Sequence, residues 1–167
     1  MIGPPGAGKT TIGRHLAGRL KVAFVDTDEA VEAQAGQPVS EIFVRQGEPA
    51  FRSMEREAVA AALAQADQAP MVIALGGGAP LDPATARALE GATVVFLDVS
   101  DALAIRRVGL SAARPLLAGS PRKAWRELMA QRRPVYEGLA DVIIQVDGLS
   151  PQDAAGRIAA LVMEGER

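Results

Sequence analysis

Residues 1–11 of the chain read MIGPPGAGKTT, and this segment decides the fold. Gly3, four intervening residues and then Gly8, Lys9 and Thr10 have the spacing of a phosphate-binding P-loop. In such a loop, glycines allow backbone N–H groups to curve around an anion, and the helix that follows directs the positive end of its dipole at the phosphate. Lys9 would reach the β- and γ-phosphates of a nucleotide, and the Thr10 hydroxyl would bind Mg²⁺. The alternative is an ordinary Gly/Pro turn before a helix.

The strand that should precede this loop is short. A P-loop follows a β-strand of several Val, Ile or Leu residues, and here only Met1 and Ile2 stand before the first glycine. Either the strand begins upstream of Met1, or the protein folds with a shortened central strand. We expect the first, because an absent central strand would leave buried backbone groups unpaired, at about 1–3 kcal/mol for each.

Length and composition describe one globular domain. The chain has 167 residues, of which 49% are hydrophobic and 23% are charged, and its net charge of −2 provides no basic field for nucleic acid or anionic lipid. No segment reaches the roughly 18 uninterrupted apolar residues of a membrane span. The chain has no cysteine, which excludes disulfides, thiolate zinc sites and cysteine nucleophiles and suits a reducing compartment. We therefore expect a cytoplasmic protein with neither nucleic acid nor membrane as a partner.

Short apolar runs alternate with amphipathic segments along the rest of the chain. Four runs read as strands that end in polar residues or glycines: KVAFVDTD (21–28), MVIALGGG (71–78), ATVVFLDVS (92–100) and ADVIIQVDG (140–148). Helices are predicted at 28–35, 39–45, 49–66, 83–89, 102–107, 122–133 and 151–163. The alternation predicts an α/β fold in which helices cover both faces of a parallel sheet. Its strands should be buried on both faces, and its ligands should bind where they end.

Two acids follow the first visible strand. Residues two apart on an extended chain point to the same side, so the carboxylates of Asp26 and Asp28 could face one pocket. Beside a P-loop, one acid could hold Mg²⁺ through its water shell, and the other could orient or deprotonate an acceptor hydroxyl. The alternative is that Asp28 only caps the next helix and Asp26 decorates a turn. Both interpretations remain open at this point.

Glycines and a third acid follow the next two strands. Gly76, Gly77 and Gly78 exceed what a turn requires and suggest a ligand that lies against bare backbone, although a flexible loop is the alternative. Asp98 ends an apolar run as a magnesium ligand would, but capping by Ser100 or Asp101 explains that turn. We therefore assign Asp98 to structure.

Arginines are the other candidates for an anion site, because guanidinium groups match carboxylate and phosphate geometry. Candidate positions are Arg52, Arg106, Arg107, Arg114, Arg132 and Arg133. For any one of them the alternative is a solvated surface side chain. His15 lacks an acid or serine partner and is assigned to structure, as are Trp125 and Tyr136.

Several segments, taken together and in order, resemble shikimate kinase, the P-loop enzyme family that transfers the γ-phosphate of ATP to the 3-hydroxyl of shikimate in aromatic amino-acid biosynthesis. They are GPPGAGKTTIGRHLA, FVDTD, IFVRQGEPAFRSMERE, ALGGGAP, RPLLAG and RRPVY, and they extend from Gly3 to about Met163. The resemblance implies a three-layer α/β/α fold like that of nucleoside monophosphate kinases, with a five-stranded parallel sheet. It further implies a single domain over 1–167, with a substrate-binding helical segment at about 28–57 and a lid at about 108–122.

The same resemblance implies the role of each site residue. The implied catalytic residues are Lys9, Asp28, which would hold the acceptor hydroxyl as base, and Arg114, which would close with the lid onto the transferring phosphate. The implied substrate-binding residues are Asp28, Arg52, Gly76, Gly77, Gly78 and Arg132, of which the two arginines would bind the shikimate carboxylate. The implied nucleotide-binding residues are Gly6, Ala7, Gly8, Lys9, Thr10, Thr11, Arg107, Arg114 and Pro151. The metal, Mg²⁺, would be held by Thr10 and, through water, by Asp26.

Two other functions are less consistent with these motifs. Another small-metabolite P-loop kinase, similar to gluconate kinase or a nucleoside monophosphate kinase, would be expected to carry acceptor motifs other than the DTD and GGG found here. A nucleotide-binding module without catalysis would lack a catalytic group, whereas Lys9, Asp28 and Arg114 are all in place. We expect shikimate and ATP as the partners and a monomeric enzyme.

Overall fold

A computed structural model describes residues 1–109 and 121–165 of the chain. The elements are α1 (Lys9–Leu20), β1 (Ala23–Asp26), α2 (Thr27–Ala35), α3 (Val39–Ala66), β2 (Met71–Ala74), a 3-10 turn (Ala79–Leu81), α4 (Pro83–Ala88), β3 (Val95–Asp98), α5 (Asp101–Gly109), α6 (Pro121–Leu139), β4 (Val142–Gln145) and α7 (Pro151–Gly165). Each predicted strand is found inside its predicted segment. The two helices predicted at 39–45 and 49–66 form the single element α3, which is broken at Gly47, where φ is 83° and ψ is 169°.

The strands form two parallel pairs that residues 1 and 2 connect. β1 pairs with β2, and β3 pairs with β4. The Met1 amine donates a hydrogen bond to the Ile73 carbonyl at 2.6 Å on one side, and the Ile2 N–H donates to the Val95 carbonyl at 2.8 Å on the other. Ile2 also forms an isolated parallel bridge with Phe96 and is buried. The strand order is therefore β1, β2, residues 1–2, β3, β4, which confirms a parallel α/β arrangement with a very short central segment.

The prediction that every strand is buried on both faces is wrong for the two outer strands. β3 is almost wholly buried, whereas the residues of β1 are exposed or half-buried, and Ile143 of β4 is 51% exposed. In the described ranges, β1 and β4 each pair with a single strand, so they lie at the sheet edges where helices cover less of them. Burial is therefore greatest at the centre, next to the P-loop.

Two separate apolar clusters support the functional region. The larger one joins the strands to α1, α6 and α7 and contains Phe96, Leu97, Tyr136 and Ile158 among its fully buried side chains. The smaller one lies between α2 and α3 and is formed by Val31, Ile42, Phe51 and Ala58. The segment 28–57 therefore has a small core of its own. Among the described helices, none combines the length and the apolar character needed to span a bilayer.

Candidate active site

The P-loop leads directly into α1. Gly8 caps this helix with φ of 91°, a left-handed conformation that residues with a side chain rarely adopt. The Lys9 ammonium donates hydrogen bonds to the carbonyls of Gly3 at 2.8 Å and Pro4 at 3.1 Å, so it lies beside the loop. Ala7 is buried, and its N–H donates to the Pro4 carbonyl at 3.2 Å.

Asp26 connects the P-loop helix to the segment after β1. One carboxylate oxygen accepts a hydrogen bond from the Thr10 hydroxyl at 2.6 Å, and the other accepts from the N–H groups of Asp28 and Glu29. Asp26 is therefore the N-cap of α2, so the alternative that Asp28 is the cap is wrong. Asp28 lies in the first turn of α2 and not on extended chain, which means that strand periodicity was the wrong reason for pairing the two acids.

A cleft of about 270 Å³ opens where the P-loop meets these acids. It is lined by Pro5, Gly6, Gly8, Lys9, Thr10, Thr11, Asp26, Asp28, Leu75 and Arg107. Both predicted acids and most of the predicted phosphate-binding residues thus share one cavity. Its oxygen and cationic groups can hold a polyphosphate together with a divalent cation.

Arg107 of α5 reaches the P-loop from the other side of the cleft. Its guanidinium donates to the carbonyls of Gly6 at 3.0 Å and Ala7 at 3.4 Å. Asp147, in the turn after β4, interacts electrostatically with Arg107. Partial burial opposes the ionisation of Asp147, but hydrogen bonds from the Ser100 hydroxyl and N–H lower its pKa below the ordinary value of 3.8. α7 begins four residues after Asp147, at the half-buried Pro151, which does not line the cleft.

The glycine turn, residues Gly76–Gly78, lies against charged side chains. A Cβ atom on Gly76 would lie 2.5 Å from Asp28 Oδ1 and 2.6 Å from Glu55 Oε1, closer than real Cβ atoms approach other atoms. A Cβ atom on Gly77 would lie 3.2 Å from an Arg132 guanidinium nitrogen. The absence of side chains is therefore what allows the turn to approach these groups.

Two arginines contact the glycine turn from different helices. Arg52 of α3 lies directly against Gly78 and forms ion pairs with Glu55 at 2.5 Å and Glu48 at 3.2 Å. Burial opposes the charge on Arg52, but its hydrogen bonds and ion pairs with these acids raise its pKa. Burial raises the pKa of Glu55, and Arg52 opposes that shift. Arg132 of α6 is only 9% exposed.

The structure places the remaining candidates away from this turn. Arg133 pairs with Asp98 at 2.6 Å, and the Asp98 carboxylate also accepts from the Val99 N–H at 2.9 Å. The Ser100 hydroxyl accepts from the Leu103 N–H in the first turn of α5. The predicted capping by Ser100 is thus confirmed, and the contacts of Asp98 are consistent with its assignment to structure. Arg106 and His15 are exposed.

Arg114 and most of the predicted lid at 108–122 lie outside the described residues.

Sequence reasoning missed three residues that shape the site. Glu55 follows Arg52 by one helical turn, Tyr136 follows Arg132 by four residues on α6, and Thr27 stands between the two acids. Helical spacing could have identified Glu55 and Tyr136, because side chains three or four residues apart share a helix face. Tyr136 is buried as expected, but its hydroxyl also donates to the Gly77 carbonyl at 2.6 Å.

The fold and this cleft define a P-loop kinase that acts on a small molecule. A parallel α/β fold carries the phosphate loop, an acid lines the same cleft, and arginines on two helices meet the neighbouring glycine turn.

Comparisons with known proteins identify the family. The sequence model of shikimate kinase matches residues 5–162. A shikimate kinase of Salinispora arenicola is 53% identical over 162 residues, which are 97% of this chain and 95% of the relative. A shikimate kinase of Thermobifida fusca is 51% identical over 159 residues, 95% of this chain and 91% of the relative. The solved shikimate kinase from Acinetobacter baumannii in complex with shikimate has a TM-score of 0.89 at 32% identity, covering 98% of this chain and 91% of that one.

The chain therefore belongs to the shikimate kinase family. Its predicted activity as a shikimate kinase in aromatic amino-acid biosynthesis is confirmed.

Proposed function

We propose that the chain transfers the γ-phosphate of ATP to the 3-hydroxyl of shikimate with Mg²⁺, using the cleft and the glycine turn as one active site. The observation that carries this proposal is the position of Asp28. Its carboxylate lines the phosphate cleft and at the same time lies against Gly76, the first residue of the turn that Arg52 and Arg132 contact. An acid at that junction can hold an acceptor hydroxyl and direct its oxygen at a terminal phosphate bound in the cleft.

Asp28 serves as the base in this proposal. The acceptor oxygen forms a bond to the γ-phosphorus while the bond from that phosphorus to the β–γ bridging oxygen breaks. The hydroxyl proton passes to the Asp28 carboxylate, and the bridging electrons leave with ADP. Phosphoryl transfer needs positioning and charge neutralisation more than covalent help, so one oriented acid is sufficient on the acceptor side.

Arg52 and Arg132 bind the shikimate carboxylate in this proposal. Arg52 is already oriented by Glu55 and Glu48. Arg132 is buried and interacts electrostatically with Glu55, but none of the salt bridges found within 1–109 and 121–165 includes it. Because buried arginines are normally paired with an anion, Arg132 is suited to a carboxylate supplied by the substrate. The Acinetobacter baumannii relative, which was solved in complex with shikimate, supports the choice of acceptor.

The oxygen donors next to the P-loop fit Mg²⁺. Thr10 and Asp26 present a hydroxyl and a carboxylate 2.6 Å apart, and Mg²⁺ prefers such hard oxygen ligands. The described part of the chain contains no group of three or more acids or histidines that could hold a metal alone, so phosphate oxygens would complete the ligand set. Thr10 would bind the metal directly and Asp26 through water. The metal would neutralise charge on the phosphates.

The remaining nucleotide contacts are proposed from the cleft and the family resemblance. Residues 6–11 hold the phosphates, with Lys9 as the mobile charge, and Arg107 and Pro151 flank the adenine. Arg114 meets the transferring phosphate. We further propose a monomer that works in the cytoplasm, where a chain without cysteine is suited to reducing conditions.

A panel of acceptors tests the proposed function. ADP release is measured with shikimate, gluconate and AMP as acceptors at equal concentrations, with Mg²⁺ and ATP held constant. We expect shikimate to be phosphorylated fastest and the product to be shikimate 3-phosphate. A preference for gluconate or AMP would contradict the proposal, as would turnover at background level in a folded sample.

A further inference from the structure

Two side chains from distant parts of the sequence hold the glycine turn in place. The Gly76 N–H donates a hydrogen bond to the Thr27 hydroxyl at 2.9 Å, and this bond is buried. The Tyr136 hydroxyl donates to the Gly77 carbonyl at 2.6 Å. Thr27 belongs to α2 and Tyr136 to α6, so the turn is fixed from two separate helices.

The turn needs such anchors because it has no side chains of its own. Consecutive glycines have the largest conformational freedom to lose on ordering, and nothing projects from them that could pack. Among the described residues, backbone donors engage two of the carbonyls: Gly76 accepts from the Ala79 N–H at 3.0 Å, and Gly78 accepts from the Leu81 N–H at 3.1 Å. The first N–H and the middle carbonyl of the turn are fixed by Thr27 and Tyr136.

These bonds leave two donors of the turn available. The acceptors found within 1–109 and 121–165 engage the Gly76 N–H but neither the Gly77 nor the Gly78 N–H. Gly77 lies against Arg132 and Gly78 lies against Arg52. The N–H groups of these two glycines are therefore next to the two guanidinium groups. The orientation of the peptide groups in the glycine turn therefore determines whether the Gly77 and Gly78 N–H groups can bind the same ligand as the two guanidinium groups.

We propose that Thr27 and Tyr136 are positioning residues for acceptor binding, which hold the glycine turn so that its amides and the arginines bind the same acceptor. Neither side chain touches the acceptor in this arrangement. Thr27 acts through the turn, whereas Tyr136 acts through the turn and through Arg132, with which it shares a side-chain hydrogen bond. Thr27 lies between Asp26 and Asp28, and Tyr136 is one helical turn after Arg132. This inference rests on the proposed function, because it takes the turn as the acceptor site.

Burial supports the role of both groups. Thr27 and Tyr136 have no exposed surface, and the Thr27–Gly76 hydrogen bond is buried while the Tyr136–Gly77 bond is partly buried, so loss of either hydroxyl leaves a turn group with a poorer partner. Burial also raises the pKa of the Tyr136 phenol, which keeps the hydroxyl protonated and able to donate. The aromatic ring packs against Phe96 with centroids 5.2 Å apart, so a phenylalanine can keep that contact without the hydroxyl.

The test separates positioning from stability. Tyr136→Phe and Thr27→Val each remove one hydroxyl, and Thr27→Ser keeps the hydroxyl. Ile158→Val in α7 is the control for the loss of one buried carbon away from the site. KM for shikimate, KM for ATP, kcat and the melting temperature are measured for all four. We expect the two hydroxyl deletions to raise KM for shikimate about tenfold and leave KM for ATP within about twofold. Thr27→Ser and Ile158→Val should retain the original KM values.

The inference is overturned if KM for shikimate is unchanged in both Tyr136→Phe and Thr27→Val. It is also overturned if KM for shikimate and KM for ATP rise together in these variants and rise in the same way in Ile158→Val. If Tyr136→Phe fails to fold, the Val and Ser variants of Thr27 decide alone. Failure of the proposed function is a different result, because the unaltered chain would then not phosphorylate shikimate.

Discussion

The two halves of the active site are built in different ways. The phosphate side uses mainly backbone and nearby residues: the P-loop occupies one segment, and its cap, its lysine and its threonine are adjacent in sequence. The acceptor side uses side chains from α2, α3 and α6 that meet at three glycines, and Glu55 and Arg132 in it are almost fully buried. In the proposed function, the phosphate side binds a feature that every nucleotide shares, whereas the acceptor side has to recognise one small molecule.

Because of this difference, substitutions on the two sides should have different effects. A change on the acceptor side should alter catalysis or shikimate binding and leave ATP binding intact. A change on the nucleotide side that does not touch the phosphate-binding residues should have a small effect on stability and activity, because several neighbouring groups hold the backbone there. Substitutions on the two sides should therefore differ in which substrate they affect and in the size of the effect.

Replacement of the proposed base should have the largest effect. Asp28→Asn is expected to lower kcat by at least about 100-fold, with little change in ATP affinity, because the amide cannot accept the hydroxyl proton. Steady-state kinetics and ATP titration measure the two quantities. Glu29→Gln is the matched control, since this neighbouring acid pairs with Arg14 at the surface. Unchanged turnover in Asp28→Asn would remove the residue from the mechanism.

Loss of a carboxylate-binding arginine should come next. Arg132→Ala is expected to weaken shikimate binding by about 2–3 kcal/mol, on the order of 30- to 150-fold, because one charged hydrogen-bond donor is lost. Arg133→Ala is the control: its guanidinium pairs with Asp98 and Glu137, so it should lower stability and leave shikimate binding intact. Titration calorimetry measures shikimate binding by the two variants. The division of the arginines is wrong if Arg132→Ala weakens only ATP binding.

A methyl group on the glycine turn should have an intermediate effect. Gly76→Ala would force apart Asp28 and Glu55, and we expect a loss of about 1–3 kcal/mol in the free energy of unfolding and a raised KM for shikimate. Gly138→Ala in α6 meets no atom within 4 Å and should be neutral or stabilising, by up to about 1 kcal/mol. Urea denaturation and steady-state kinetics give the result. Equal behaviour of the two variants would contradict the close approach at Gly76.

The smallest effect should come from the nucleotide side and should depend on pH. The pKa of Asp147 is lowered in the folded chain, so its charge stabilises the fold above the ordinary value of 3.8, and this contribution is lost as pH falls through the lower folded value. We expect Asp147→Asn to reduce the free energy of unfolding by at most about 1 kcal/mol at pH 7. The difference from the unaltered chain should disappear in acid. A difference that grows as the pH falls would reverse the assignment.

The same division explains how much could be predicted from the sequence. The P-loop is contiguous, so its spacing alone indicated the phosphate side and the helix after it. Strand positions followed from apolar runs, but the exposure of Ile143 did not, because strand order is set by tertiary pairing. A helix was predicted from residue 28, yet Asp28 was paired with Asp26 as if both lay on extended chain; α2 begins one residue earlier than predicted, at Thr27, so Asp28 lies in its first turn.

The acceptor side was harder to predict because it depends on contacts between distant residues. Arg52 and Arg132 were chosen by family resemblance, since guanidinium groups alone could not be told from surface arginines. Tyr136 and Thr27 were missed because their hydrogen bonds to the glycine turn cross 59 and 49 residues of sequence. Helical spacing could have indicated that Tyr136 shares a face with Arg132, but not which carbonyl it meets.

A crystal structure of the chain with shikimate, Mg²⁺ and ADP is the most direct test of the proposed active site. We expect the shikimate carboxylate to lie between Arg52 and Arg132, its ring against Gly76–Gly78 and its 3-hydroxyl within hydrogen-bond distance of Asp28, facing the P-loop. Shikimate bound elsewhere, or bound with its carboxylate away from both arginines, would contradict the proposed active site.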